Sequence, residues 1–270
     1  MLSAILAGFF GLLIGSFLNV CVYRLPRDLS VVRPRSFCPE CGKGIAWYDN
    51  VPVLSYLILR GRCRACGAAI PVRYPLVELL TGVAFFTAFW MYGPGVEGVK
   101  ICAFAAILIE LIFSDLETRI LPDEFTLGGV AVGIAFSWFV PIPGGIVQLF
   151  LPRAMSPNLA STVEAIAGAL LAGGALWLVA RIYHAVRHRE GLGGGDIRMV
   201  AMMGAFLGVE GVLLALIVGS LLGSVVGLAY ILLTSKDAGS YELPFGTFLG
   251  VGALVLGLFG GSILSWYAHF

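Results

Sequence analysis

The sequence predicts an all-α polytopic membrane protein, with about eight transmembrane helices and a small tetracysteine segment after the first. Three observations carry this. Of 270 residues, 59% are hydrophobic and only 12% charged, against about 45–50% and about 25% in soluble domains. The mean hydropathy is +0.95. The apolar residues fall into runs of roughly 20, the length that crosses a bilayer. A net charge of +1 gives no footprint for nucleic acid.

The first span covers residues 2–23. It lacks a basic leader and a small-residue cleavage site, so it reads as a helix and not a cleaved signal. Further spans follow at 75–92, 99–114, 125–140, 160–183, 199–208, 212–233 and 246–268. The short run 199–208 starts further back, within a glycine stretch. The chain divides into a first transmembrane helix (1–24), the tetracysteine segment (25–74) and a seven-helix core (75–270). The Pro- and Gly-broken run 141–157 reads as a connector with an interfacial piece near Ile146–Leu151. Asn19 is the one strongly polar side chain of the first span and suits interhelical hydrogen bonding.

Basic residues set the orientation. Segment 24–74 carries nine of the 17 Lys and Arg, and alternation along eight spans brings 15 to one side. Only Lys100 and Arg153 fall opposite. The positive-inside rule then puts segment 24–74 in the cytoplasm and both termini outside.

Within that segment, Cys38-Pro-Glu-Cys41 and Cys63-Arg-Ala-Cys66 are two C-x2-C pairs, each followed by glycine. Four thiolates at this spacing suit a tetrahedral structural zinc site, with no coordination position left for catalysis. A reducing cytoplasm disfavours disulfides. Metal binding can supply the stability that so small a segment lacks. Cys21 and Cys102 lie inside spans and read as buried small residues.

Two carboxylates fall on the same predicted face. Asp196 closes the run Gly191-Leu-Gly-Gly-Gly195-Asp196 at the mouth of an apolar span. An acid there is either a helix cap or a functional group. Asp115 ends the third span, and the loop 115–124 continues through Leu121-Pro122-Asp123. Asp123 after Pro122 reads as a helix cap. Two close carboxylates can share a proton, so that one serves as base and the other as acid. That requires the third and sixth spans to pack side by side. Glu78, Glu110 and Glu164 lie within or near spans, each paired with a polar neighbour or lining a wet cavity; Glu78 and Glu110 are also candidates for substrate contact. A transporter would place acids near midspan and repeat its halves, and a scaffold would not need the two acids.

Taken in order, Gly15-Ser-Phe-Leu-Asn-Val20, Tyr23-Arg-Leu-Pro26, the tetracysteine segment, Arg73-Tyr-Pro-Leu-Val-Glu-Leu79, the Asp115…Leu121-Pro-Asp123 loop and Gly191-x-Gly-x-Gly-Asp196 resemble the bacterial prepilin peptidases. These are type IV leader peptidases/N-methyltransferases. The resemblance covers nearly the whole chain. It implies a multi-pass inner-membrane aspartic endopeptidase with its active site facing the cytoplasm. Such an enzyme removes the short basic leader of prepilins or type II secretion pseudopilins, after Gly and before Phe or a similar residue. It implies Asp115 and Asp196 as the catalytic pair, with Gly193 and Gly195 of the GxGD motif, Pro122, Asp123 and Arg198 in support. Arg198 stands where the family commonly has Lys, a change of geometry at constant charge. S-adenosylmethionine-dependent N-methylation of the new amino terminus follows from the resemblance alone. No strand–GxGxxG–helix fingerprint is present.

Overall fold

The computed structural model describes residues 1–142, 145–152, 154–189, 191–234 and 244–268. Among them the chain is helical, in the order α1 Leu2–Arg24, α2 Leu54–Ile58, α3 Arg73–Tyr92, α4 Val96–Thr118, α5 Asp123–Phe139, α6 Pro157–Arg187, α7 Gly194–Thr234 and α8 Phe245–Ala268. Among the described residues, four stretches are long and apolar enough to cross a membrane by length and composition: Leu2–Arg27, Arg73–Tyr92, Pro157–Arg187 and Gly194–Tyr230. Phe245–Gly261 is a shorter apolar helix. This is a multi-pass membrane protein, built as two compact units, Met1–Phe113 and Ser114–Phe270.

In the first unit α1 and α3 lie antiparallel, with Gly8 against Phe86, Gly11 against Thr81 and Gly15 against Glu78. A Cβ on Gly15 would come within 2.6 Å of the Glu78 Cα, so only glycine allows this approach. Small residues serve such contacts in lipid, where no hydrophobic force drives helices together. Asn19 is buried in the same seam and donates from Nδ2 to the Tyr74 carbonyl at 3.0 Å. It is interhelical glue, as its place in the span suggested. Glu78 is buried too, and its Oε2 accepts the Val53 N–H at 2.7 Å. That bond ties the polar segment to α3 at a β-branched residue held at φ 59°, a region such residues seldom occupy.

In the second unit the spans predicted at 199–208 and 212–233 are the two limbs of one broken helix. Helix α7 is broken at Gly208, whose φ of 72° and ψ of −175° are not helical. Neighbouring contacts show that the chain reverses there. Helix α5 runs parallel to the first limb, with Leu121 by Gly195 and Gly133 by Ala205 and Phe206. Helix α8 begins beside Asp196, then places Leu249 against Gly219 and Gly252 against Ala215. Advancing along α7 from residue 215 to 219 therefore leads back towards the start of α8. The first limb begins at Gly194, inside the glycine stretch. Its 14 residues before the break (194–207) span about 21 Å.

The reversal is held by Glu164. This buried carboxylate accepts the Val209 N–H at 3.1 Å and the Val147 N–H at 3.0 Å. Val209 opens the second limb, so its N–H lacks an intrahelical acceptor. Of the alternatives open for Glu164, pairing with polar neighbours is the one found, and the neighbours are backbone. Val147 belongs to a short 3-10 helix, Ile146–Phe150, at the place of the expected interfacial piece. Cys21 and Cys102 are buried.

Candidate functional site

The second unit gathers the two aspartates. Asp115 lies in the last turn of α4, which runs to Thr118; the expected loop 115–124 is thus helical over its first four residues. The reason is local. Ser114 Oγ donates to the Ile120 carbonyl at 2.8 Å, Thr118 Oγ1 donates back to the Ser114 carbonyl at 3.0 Å, and the Arg119 N–H reaches the Asp115 carbonyl at 3.0 Å. Arg119, at φ 56°, then turns the chain out of the helix. Asp115 is 5% exposed.

Asp196 is the third residue of α7, not its cap. Its carboxylate reaches back to accept the Gly193 N–H. A side-chain oxygen bonded to the N–H preceding a helix is one half of a capping box, and the first turn favours a negative charge. Gly195 lies directly against Leu121, where a Cβ would meet the Leu121 Cβ at 3.1 Å. The GxGD motif thereby seats α7 on the Leu121-Pro122 turn. Asp123 is also not the cap: Pro122 is the cap residue of α5 and has no side-chain hydrogen bond to offer. Asp123 instead pairs with Arg198, whose Nη1 donates to Oδ2 at 2.6 Å, while Arg198 Nε donates to the Gly194 carbonyl at 3.2 Å. The supporting residues of both motifs form one clamp across the first turns of α5 and α7.

The two carboxylates converge on Gly246, the second residue of α8. A Cβ placed there would lie 3.2 Å from Asp115 Oδ2 and 3.2 Å from Asp196 Oδ1. Their oxygens are therefore no further apart than twice that distance. The point between them is within hydrogen-bond reach of both, and glycine leaves it open. Thr247 follows, with its N–H donating to Asp115 Oδ2 at 2.7 Å and its Oγ1 to the same oxygen at 2.9 Å. Neither Gly246 nor Thr247 stood out in the sequence. The available signal was Pro244-Phe-Gly-Thr247 at the mouth of the last span, on the same side by alternation as both aspartates.

The first unit holds a different cluster. The Sγ atoms of Cys38, Cys41, Cys63 and Cys66 all lie within 4.8 Å of one another, and Cys38 and Cys66 approach to 3.9 Å. Four sulfurs tetrahedral about zinc at about 2.3 Å would sit about 3.8 Å apart. None of the described cysteines is disulfide-bonded. Each pair forms the same knuckle. Gly42 and Gly67 adopt φ 67° and 73°, and their N–H groups bond the Cys38 and Cys63 carbonyls at 2.8 and 2.9 Å. The backbone N–H groups of Cys66 and Ala65 pull the Cys63 thiol down to about 7. Cys66, despite a bond from the Ala68 backbone, is pushed up to about 12 by burial and the neighbouring sulfurs. Thiolates packed so closely repel, and a bound cation relieves the repulsion. The cluster fits a metal ion. Beside it Arg64 Nη2 bonds Asp49 Oδ1 at 2.7 Å, which holds the Asp49 carboxyl below its usual range.

Fold and site together define a multi-pass helical membrane protein with two carboxylates gathered at helix ends and a separate four-sulfur cluster. Comparisons with known proteins give the particular family. Residues 9–92 match the bacterial peptidase A24 N-terminal domain, and residues 102–228 match the type IV leader peptidase family. The chain is 42% identical over 226 residues to the prepilin leader peptidase/N-methyltransferase of Myxococcus xanthus (strain DK1622), covering 84% of this chain and 62% of that relative. It is 34% identical over 283 residues to the protein of that name from Pseudomonas putida, covering 96% and 91%. It is 32% identical over 286 residues to the one from Legionella pneumophila, covering 97% and 93%. No solved structure matches it. The chain belongs to the type IV leader peptidase family.

Proposed function

We propose that this protein is a membrane aspartic endopeptidase that removes the leader of type IV prepilins or type II secretion pseudopilins, with Asp115 and Asp196 as its catalytic pair. The observation that carries the reading is the single point lying 3.2 Å from an oxygen of each carboxylate. A water near that point can lose a proton to an ionised carboxylate as its oxygen attacks the scissile carbonyl. The other carboxyl, protonated, gives its proton to the carbonyl oxygen. As the tetrahedral adduct collapses, the carboxyl that took the water's proton passes it to the departing amine, and the adduct's hydroxyl returns its proton to the other carboxylate as the carbonyl re-forms. The pair ends with one proton, as it began. Close like charges favour this singly protonated state.

The relatives' names couple cleavage to N-methylation, and we assign the second step to S-adenosylmethionine as methyl donor. We assign the four-sulfur cluster to structural zinc, since all four ligands come from protein. The excess of Lys and Arg in residues 24–74 supports a cytoplasmic position for that segment and for both aspartates. The protein then resides in the inner membrane with its termini outside. There a prepilin's apolar helix stays in lipid while its leader remains in water.

The test is incubation of the purified, detergent-solubilised protein with a prepilin, with and without S-adenosylmethionine, read by intact mass. The parent removes the leader and adds one methyl group; Asp115→Asn and Asp196→Asn fall by roughly 10²–10⁴-fold in cleavage, the range of lost acid–base catalysis. Cleavage retained by either variant overturns the assignment of the pair.

A further inference from the structure

The two carboxylates are alike in chemistry, but their surroundings are not. Asp115 Oδ2 receives two bonds from a single residue, the Thr247 N–H at 2.7 Å and the Thr247 hydroxyl at 2.9 Å. The charged groups facing Asp115 among the described residues are Asp196 from α7 and Arg119 from its own helix end. Helix α8 contributes the neutral Gly246 and Thr247. An N–H can only donate, and donors on one oxygen favour the ionised form. Asp196 accepts one N–H, from Gly193, and has the first turn of α7 in its favour. A hydrogen bond to a charged group stabilises it more than a helix terminus does, and Asp115 receives two such bonds against one for Asp196. The balance falls to Asp115.

The geometry points to Thr247 as a positioning residue that holds Asp115 as the ionised carboxylate, so that Asp115 is the base towards water and Asp196 carries the shared proton as acid. This rests on the reading of the two aspartates as the catalytic pair. Thr247 acts only through Asp115. Its neighbour Gly246 supplies the open point between the carboxylates, so the start of α8 is the third wall of the site.

The experiment follows leader cleavage of a prepilin by the full chain in detergent from pH 5 to 8, for the parent, Thr247→Val and Thr247→Ser. Valine keeps the shape and the N–H but removes the hydroxyl. Without that donor, ionised Asp115 is less stable and binds its proton at a higher pH. Activity that needs the ionised form is then lost earlier as pH falls. Thr247→Val moves the acidic limb up by about one pH unit and lowers cleavage at the acid side by up to about tenfold, while Thr247→Ser restores the parent profile. Melting temperatures are recorded alongside, and Thr247→Ala replaces the valine variant if that does not fold. An acidic limb that stays in place, whatever the amplitude, overturns the inference. Asp115→Asn and Asp196→Asn run in the same series: if they cleave, the underlying reading fails; if they do not and the limb stays, only the role of Thr247 fails.

Discussion

The four-sulfur cluster and the carboxylate pair are both small constellations of ionisable groups, assembled in opposite ways. The cluster is built by two copies of one local turn. Each C-x2-C-G segment folds on itself through bonds between residues four apart, Gly42 to Cys38 and Gly67 to Cys63. Each knuckle therefore follows from its own few residues, and only the meeting of the two requires the rest of the segment. The carboxylate pair has no such unit. Asp115, Asp196 and Thr247 come from the ends of three helices, and the bond from Thr247 to Asp115 spans 132 positions. A site made of local turns withstands changes in distant helices, whereas a site made of helix ends depends on every contact that sets their height.

The most severe way to break this contrast is one methyl group at Gly246. Gly246→Ala fills the point between the carboxylates without removing either of them. Cleavage falls about 100-fold, on the order expected for displacing a reacting group. Helix formation itself gains from alanine, so the melting temperature is retained. Parent-like turnover by this variant would mean that the reacting groups lie elsewhere.

Breaking the local site has the opposite signature. Cys41→Ser or Cys63→Ser reduces bound metal, read by elemental analysis, and lowers thermal stability, because metal binding contributes to folding of such segments. Leader cleavage per folded molecule changes by less than about tenfold, since the cluster and the carboxylates belong to separate units. A loss of cleavage as deep as that of the aspartate variants would end the distinction.

Contacts between helices rank below both. Asn19→Leu removes the bond to the Tyr74 carbonyl and costs about 0.6 kcal/mol, the average for interhelical bonds in a membrane protein, and no more than about 1.7 kcal/mol. It is read as easier denaturation in detergent. The smallest effect is at the clamp. Arg198 and Asp123 are both well exposed to solvent, and an exposed pair contributes about 0–1 kcal/mol. Asp123→Asn therefore leaves stability and cleavage within a few-fold of the parent, and a larger drop would place Asp123 in the chemistry.

These differences track what could be read in advance. The tetracysteine knuckles, the spans and Asn19 as helix glue followed from spacing and hydropathy, because each is decided by residues near in sequence or by the demand of lipid. Asp115 and Asp196 were singled out by their motifs. Neither Asp123 nor Asp196 occupies the cap position suggested for it. Pro122 holds the cap position of α5, which leaves Asp123 to Arg198. The helix of Asp196 starts two residues earlier than the carboxylate. Such offsets depend on where a helix begins, and glycine and proline blur that signal in a linear reading.

By itself, then, the sequence determined that the chain is helical and membrane-embedded, that four cysteines form two matching turns, and that two acids stand at the mouths of spans. Only the tertiary structure decided that α7 folds back at Gly208, that Glu164 holds the fold-back, and that α8 brings Gly246 and Thr247 to the acids. The physical reason is range. Hydropathy and turn chemistry act over a few residues, while the height of one helix end against another is set by the close glycine contacts along their whole length.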